Sequence, residues 1–152
     1  MKKSLIIILV LFLILSFSVD RGDQDKKTVR RVITVDNTQT KRPYSPAIEA
    51  NNTLYVSGQI GVDQATGKLV EGKIEEQTRQ VLKNLKNVIE KAGYSMDNVA
   101  KCTVLLSDIS FYSTVNQIYM EFFPKDPPAR MAFAVKDLPM GAMIEIDAIA
   151  VK

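Results

Sequence analysis

The sequence predicts one sheet-and-helix domain whose elements run β-β-α-β-α-β-β, with both helices on a single face of the sheet. Three observations predict it. Apolar residues recur at three- and four-residue steps in two stretches, Ile74 to Ala92 and Phe111 to Phe122, the period of a helix with one buried stripe. Short β-branched segments bounded by turn residues surround these stretches. Two helices suffice for only one face of such a sheet, so the other face must meet water or another subunit. A length of 152 residues suits one domain, and no internal repeat or second domain is visible.

The chain divides into residues 1–18, a polar tail over 19–30 and the folded part, 31–152. Met1-Lys2-Lys3 followed by the apolar run Leu5–Leu15 has the form of a secretory signal, whose apolar core spans about 7–15 residues. Asp20 and Arg21 come too early for a spanning helix of roughly 20 residues. Ser16-Phe17-Ser18 offers a cleavage site after Ser18, and an uncleaved anchor is the alternative. Residues 19–29 lack periodicity and read as a flexible tail.

Val29–Val35 is the first expected strand, with Asn37–Lys41 a polar connection and one or two further strands allowed in this region. Pro43 and Pro46 bracket Tyr44 in a rigid extended segment. Thr53–Ser57 is a strand by its β-branched and aromatic content, and Thr66-Gly67-Lys68 marks a turn. The first helix carries Ile74, Thr78, Val81, Leu82, Leu85, Val88 and Ile89 on one stripe, with Glu71, Glu75 and Glu76 at its start and Gly93 at its stop. Val99–Leu106 is a strand. The second helix runs from about Ser110 to Phe123, capped by Asp108 or Ser110 and ended by Pro124. Strands over Ala129–Val135 and Met143–Val151 close the order.

Composition narrows the chemistry. The chain has no His and one Cys, Cys102, which excludes a Ser-His-Asp triad, a His-based zinc site and an intramolecular disulfide. Cys102 sits in a strand-like run and reads as a buried inert thiol. Of the 20 basic and 17 acidic residues, 7 and 3 precede residue 32, which leaves 13 and 14 in the folded part. The formal charge of +3 therefore belongs to the leader and tail, and nucleic-acid binding by a basic face is not supported.

On Ala129–Val135, alternation puts Arg130, Ala132 and Ala134 on one side, so an Arg flanked by small residues has room for an anion. An ion pair closing the sheet face is the other role open to it. Glu145 and Asp147 share a face of the last strand, about 6.6–6.8 Å apart, and either flank a pocket or pair with bases. Ser57-Gly58-Gln59 ends a strand with a glycine that lets a ligand approach the backbone, or simply makes a turn.

Pro43-Tyr44-Ser45, Tyr55-Val56-Ser57-Gly58-Gln59-Ile60-Gly61, Thr114-Val115-Asn116-Gln117-Ile118-Tyr119, Pro128-Ala129-Arg130, Leu138-Pro139 and Ile144-Glu145-Ile146 occur in order over residues 31–152. This set resembles the Rid (reactive intermediate deaminase, YjgF-like) family. The resemblance implies an α+β, chorismate-mutase-like mixed sheet, a homotrimer with sheets facing inward, and clefts between subunits. It implies hydrolysis of enamines and imines such as 2-aminoacrylate and 2-iminopropanoate to 2-oxo acids and ammonia, with no metal or organic cofactor. By position, Arg130 clamps the substrate carboxylate, Glu145 orients or deprotonates water, and Tyr44, Ser57 and the backbone of Gly58 complete the pocket. Ala132 stands where many relatives have Cys and others Ala. Arg42, Pro46 and Met131 depart from the family's usual residues. A carboxylate-binding trimer without turnover and a ribonuclease or chaperone-like activity are the competing functions; the lack of His and the neutral folded part disfavour RNA cleavage.

Membrane contact is expected only through an uncleaved leader, and export to the periplasm or medium is expected after cleavage; cytosolic residence is the family's usual alternative. N-terminal sequencing of the mature protein should find Val19. Intact Met1 on soluble cytosolic protein would remove the export expectation.

Overall fold

The computed structural model describes residues 29–35 and 43–152; the expected signal over 1–18, all but the end of the tail over 19–30 and the connection Asn37–Lys41 lie outside the described residues. Along the chain come β1 (Arg30–Ile33), β2 (Ala47–Ala50), β3 (Thr53–Ile60), β4 (Val62–Asp63), β5 (Lys68–Leu69), α1 (Ile74–Lys91), β6 (Val99–Leu106), α2 (Tyr112–Phe122), β7 (Ala129–Ala134) and β8 (Ile144–Val151). Among the described residues they form a six-stranded sheet, ordered β1-β2-β3-β8-β6-β7, and a two-stranded ribbon, β4-β5. Only β6 and β7 pair in parallel, so the sheet is mixed and the class is α+β as expected.

The one-sided helix layer follows from connection geometry. β3 and β6 both run antiparallel to β8 between them, so they are parallel to each other. The chain crosses from β3 through α1 to β6, then through α2 to β7, stepping the same way both times. Crossovers between parallel strands are right-handed in about 98% of cases, and two of one hand and direction fall on one face.

Period-two alternation then sorts the strands. Leu54 and Val56 of β3, Cys102, Val104 and Leu106 of β6, and Ile144, Ile146, Ala148 and Ala150 of β8 are buried beneath the helices. The apolar stripe of α1 meets them, and its buried polar residues act as anchors. Asn84 donates to the carbonyls of Ile60 (3.0 Å) and Val62 (2.8 Å), and Gln77 accepts the Met143 N–H at 2.8 Å. Gly93, at φ +84°, closes the helix while Tyr94 N–H reaches back to the Ile89 carbonyl. The second helix starts later than its pattern suggests. Asp108 caps a short 3-10 turn, Ile109–Phe111, that leads into α2.

Two strand pairings are unmarked by periodicity. β2 is only four residues long, and it turns into β3 through Asn51-Asn52, both left-handed (φ 49° and 60°), the geometry of a tight hairpin. The edge strand β1 is tied to this corner by a polar network. Arg31 Nε donates to Glu49 Oε2 at 2.7 Å, the Tyr94 hydroxyl donates to Glu49 Oε1 at 2.9 Å, and Arg31 Nη2 donates to the Ala92 carbonyl.

The bonds from Arg31 and then Tyr94 hold the Glu49 carboxyl below its ordinary value of 4.5. A depressed folded-state value gives stabilisation that is complete above the ordinary value and is lost as pH falls through the folded one. Glu49→Gln should therefore lower Tm at pH 7, and the gap from the parent should narrow below pH 4.5 and close in stronger acid. Thermal unfolding across that range measures it; a gap independent of pH would contradict the linkage.

Candidate active site

The expected residues fall into two groups on opposite faces of the sheet. Arg130 lies on the edge strand β7, opposite Cys102 of β6, and both point to the helix face. There its guanidinium is held by the side of α2. Nη2 donates to Asn116 Oδ1 at 2.6 Å and, more weakly, to the Tyr112 hydroxyl at 3.4 Å. Cζ lies 4.7 Å from the centre of the Tyr119 ring and 5.6 Å from that of Tyr112, within the range of a cation–π contact. Ala132, two residues on, faces the same way and packs against the core.

Arg130 makes no ion pair among the described residues, so the alternative of a structural salt bridge is not realised there. Its charge is oriented by neutral groups and left without a counter-ion, an arrangement suited to an incoming anion. Tyr112, Asn116 and Tyr119 lie at i, i+4 and i+7 along one side of α2. The pattern was readable as a helix face, but only the β6-α2-β7 crossover turns that face toward Arg130.

Cys102 lies beneath this cluster, fully buried beside Tyr119. Burial pushes its thiol up to about 11, which fits the expected inert role. The Tyr119 hydroxyl is likewise pushed up by burial.

The second group gathers where β3 meets β8. Glu145 pairs with Ile60 of β3 and Leu105 of β6 and faces away from the helices, as does Asp147. Asp147 accepts the Thr103 N–H at 3.1 Å, whereas Glu145 accepts no hydrogen bond from the described residues. Burial, then the nearby Asp147 charge, pushes the Glu145 carboxyl above the usual carboxylate range.

Register shifts between Val56 and Gln59, so Ser57 and Gly58 form an irregularity in β3. A Cβ at position 58 would stand 1.8 Å from Glu145 Oε1; the carboxylate lies where a side chain would be, and glycine is what admits it. The Ser57 hydroxyl donates to the Ser45 carbonyl at 2.7 Å and Ser57 N–H to the Pro46 carbonyl at 3.0 Å. Ser57 thus holds the Tyr44–Pro46 segment beside Gly58, with the Tyr44 side chain mostly exposed.

A cleft of ≈ 360 Å³ opens at this end, lined by Tyr44, Gly58, Gln59, Asn84, Val88 and Met140 among others, with no charged side chain in its wall. Neither Arg130 nor Glu145 lines it. Of the expected residues, Tyr44, Ser57, Gly58 and Glu145 thus gather at one place and Arg130 with Ala132 at another. Strand β6 and the thickness of the sheet separate them.

The face carrying Glu145 and Asp147 also carries large apolar side chains. Val32, Tyr55, Met131 and Phe133 are 45–50% exposed there, beside Ile48 and Ile149.

With this geometry in view, the relatives are informative. The family model for endoribonuclease L-PSP matches residues 34–152. The human protein named 2-iminobutanoate/2-iminopropanoate deaminase is 45% identical over 125 residues, 82% of this chain and 91% of that one. Among solved structures, a Rid-family protein from Yersinia pestis superposes with a TM-score of 0.77 at 44% identity, covering 82% of this chain and all of the other. The Escherichia coli protein TdcF with bound serine gives 0.74 at 31% identity, covering 80% of this chain and 98% of its own.

Proposed function

The chain belongs to the endoribonuclease L-PSP family, which includes the Rid proteins, and from that premise we propose that it hydrolyses short-lived 2-imino and 2-enamino acids to 2-oxo acids and ammonia. The likeness to the human deaminase over most of both chains supports this reading. The observation that carries it is an arginine oriented by neutral groups, with no carboxylate partner among the described residues. Such a head takes a planar carboxylate in its fork.

In this reading the substrate carboxylate sits on Arg130 beside Ala132, and its C=N carbon faces Glu145 over Gly58. Glu145 takes a proton from water as the water oxygen bonds to the imine carbon. That proton passes to the nitrogen to give a carbinolamine. The hydroxyl proton then follows to the nitrogen through Glu145 as the C=O bond forms and the C–N bond breaks, which releases ammonia and a 2-oxo acid. An enamine first gains a proton at its terminal carbon and gives up one from its nitrogen to become the imine. A carboxyl whose affinity for protons is raised by burial suits a group that must both take and return one. Tyr44 and Ser57 border the pocket.

Arg130 and Glu145 face opposite ways in one chain, so one substrate meets both only if they come from different copies. A homotrimer with the helix-free faces turned inward supplies that arrangement and covers Val32, Tyr55, Met131 and Phe133. Light scattering should give three times the 17.0 kDa chain mass, reduced only by any leader removed. A stable monomer would remove the intersubunit site.

Arg130→Lys keeps the charge but loses the fork, and Glu145→Gln keeps the shape but loses the base. With 2-iminopropanoate generated by an amino-acid oxidase, both should cut the rate of ammonia release, Glu145→Gln by about 10²–10⁴-fold, while the trimer persists. Parental rates in both folded variants would refute these roles. Carboxylate binding without faster imine decay in the parent would favour the non-catalytic trimer.

A further inference from the structure

Arg130 engages a residue outside the expected set, Tyr112. A guanidinium grips both oxygens of a carboxylate along one of two edges, Nε–Nη2 or Nη1–Nη2, and each edge uses one of the two Nη2 hydrogens. Nη2 already donates twice, to Asn116 Oδ1 at 2.6 Å and to the Tyr112 hydroxyl at 3.4 Å. A two-pronged grip therefore requires one of these bonds to yield. The Asn116 bond is short and partly buried, whereas the Tyr112 bond is long and exposed. Tyr112 is 42% exposed in the first turn of α2, so its ring has room to turn. As its oxygen accepts from Arg130, its own proton is directed elsewhere, and it donates to no acceptor among the described residues.

We propose that Tyr112 is a substrate-binding residue for the carboxylate: its hydroxyl, which accepts from Arg130 Nη2, yields that place to one carboxylate oxygen and donates its proton to the bound carboxylate. This rests on Arg130 being the carboxylate clamp of the proposed deaminase. It places a neutral donor beside the guanidinium, so the site distinguishes a 2-imino acid from the corresponding imine without its carboxylate by two groups. Asn116 holds the head still, and Tyr112 exchanges partners.

The test is Tyr112→Phe, which keeps the ring over Arg130 and removes only the hydroxyl. A hydrogen bond to a charged group is worth about tenfold or more in binding. With 2-iminopropanoate, KM should rise by about that factor while kcat stays within about twofold, and the competitive inhibition constant of pyruvate should rise in step. Subunit mass and Tm should match the parent. Unchanged KM and pyruvate inhibition would overturn the proposal, as would tighter binding, which would make the hydroxyl a mere competitor.

If the parent does not hydrolyse the imine, the deaminase reading fails, but pyruvate still decides about Tyr112 through thermal shift. A shift lost in Arg130→Lys and reduced in Tyr112→Phe supports the inference. An equal shift in parent and Tyr112→Phe, or none in the parent, overturns it.

Discussion

Two crossovers of the same hand, stepping the same way across one sheet, put α1 and α2 on one face and leave the other face without a layer. Much of the remaining structure depends on this constraint. Strands with a covered and a bare side must alternate strictly, and β8 does, with Ile144, Ile146, Ala148 and Ala150 beneath the helices and Glu145 and Asp147 opposite. The bare face also carries apolar area, because Tyr55, Met131 and Phe133 lie on it about half exposed. Covering apolar area is worth roughly 25 cal/mol per Å², so a second copy has a driving force for docking where a solvated sheet face has none. In the proposed trimer, assembly and site formation would be one event, since the same constraint turns Arg130 away from Glu145.

The Arg130 cluster shows how a cation is fixed without being neutralised. A carboxylate partner would hold the head as firmly but would compete with any incoming anion. Asn116 and the Tyr112 hydroxyl instead supply dipoles, and the Tyr119 ring supplies its negative face. None of these cancels the charge. The ring lies above the buried Cys102, a neutral thiol that adds no negative charge to the cluster. The edge position of β7 completes the arrangement, since no further strand of the described chain stands between the guanidinium and a neighbouring molecule.

The helices, the strands β6, β7 and β8, and the individual residues Arg130, Glu145 and Gly58 were legible in the sequence, because period, caps and residue type are local properties. The hairpin partner β2 was not: four residues carry too little period, and its clearest sign was the Asn51-Asn52 pair that takes left-handed geometry. The α2 residues around Arg130 were missed for a different reason. Asn116 reads as an ordinary helix-surface residue until the crossover is built, and only topology turns it toward β7. Gln77 and Asn84 were absent from the expected stripe of α1 because periodicity counts apolar residues, while these two are buried through the backbone groups they satisfy. Nor could strand alternation within β7 and β8 say how the faces of two separate strands correspond. That relation is fixed by register through β6, where Cys102 stands opposite both Arg130 and Ala148.

Register also explains why the irregularity in β3 lies at Ser57-Gly58. Upstream of it Val56 pairs with Ala148, and downstream Ile60 pairs with Glu145, so the strand has taken up an extra residue while remaining on β8. The shift lets the Cα of Gly58 come beneath the Glu145 carboxylate, and any Cβ there would displace it. The neighbouring Ser57 uses its N–H and hydroxyl on the carbonyls of Pro46 and Ser45, bringing Tyr44 to the same end of the sheet. Gln59 donates to the Ser57 carbonyl at 2.8 Å, satisfying an acceptor that the interrupted ladder leaves open. Three consecutive residues thus divide the work: one ties the Tyr44 segment, one makes room for the carboxylate, and one repairs the backbone. The proposed role of Glu145 depends on this irregularity in β3 as much as on the acid itself.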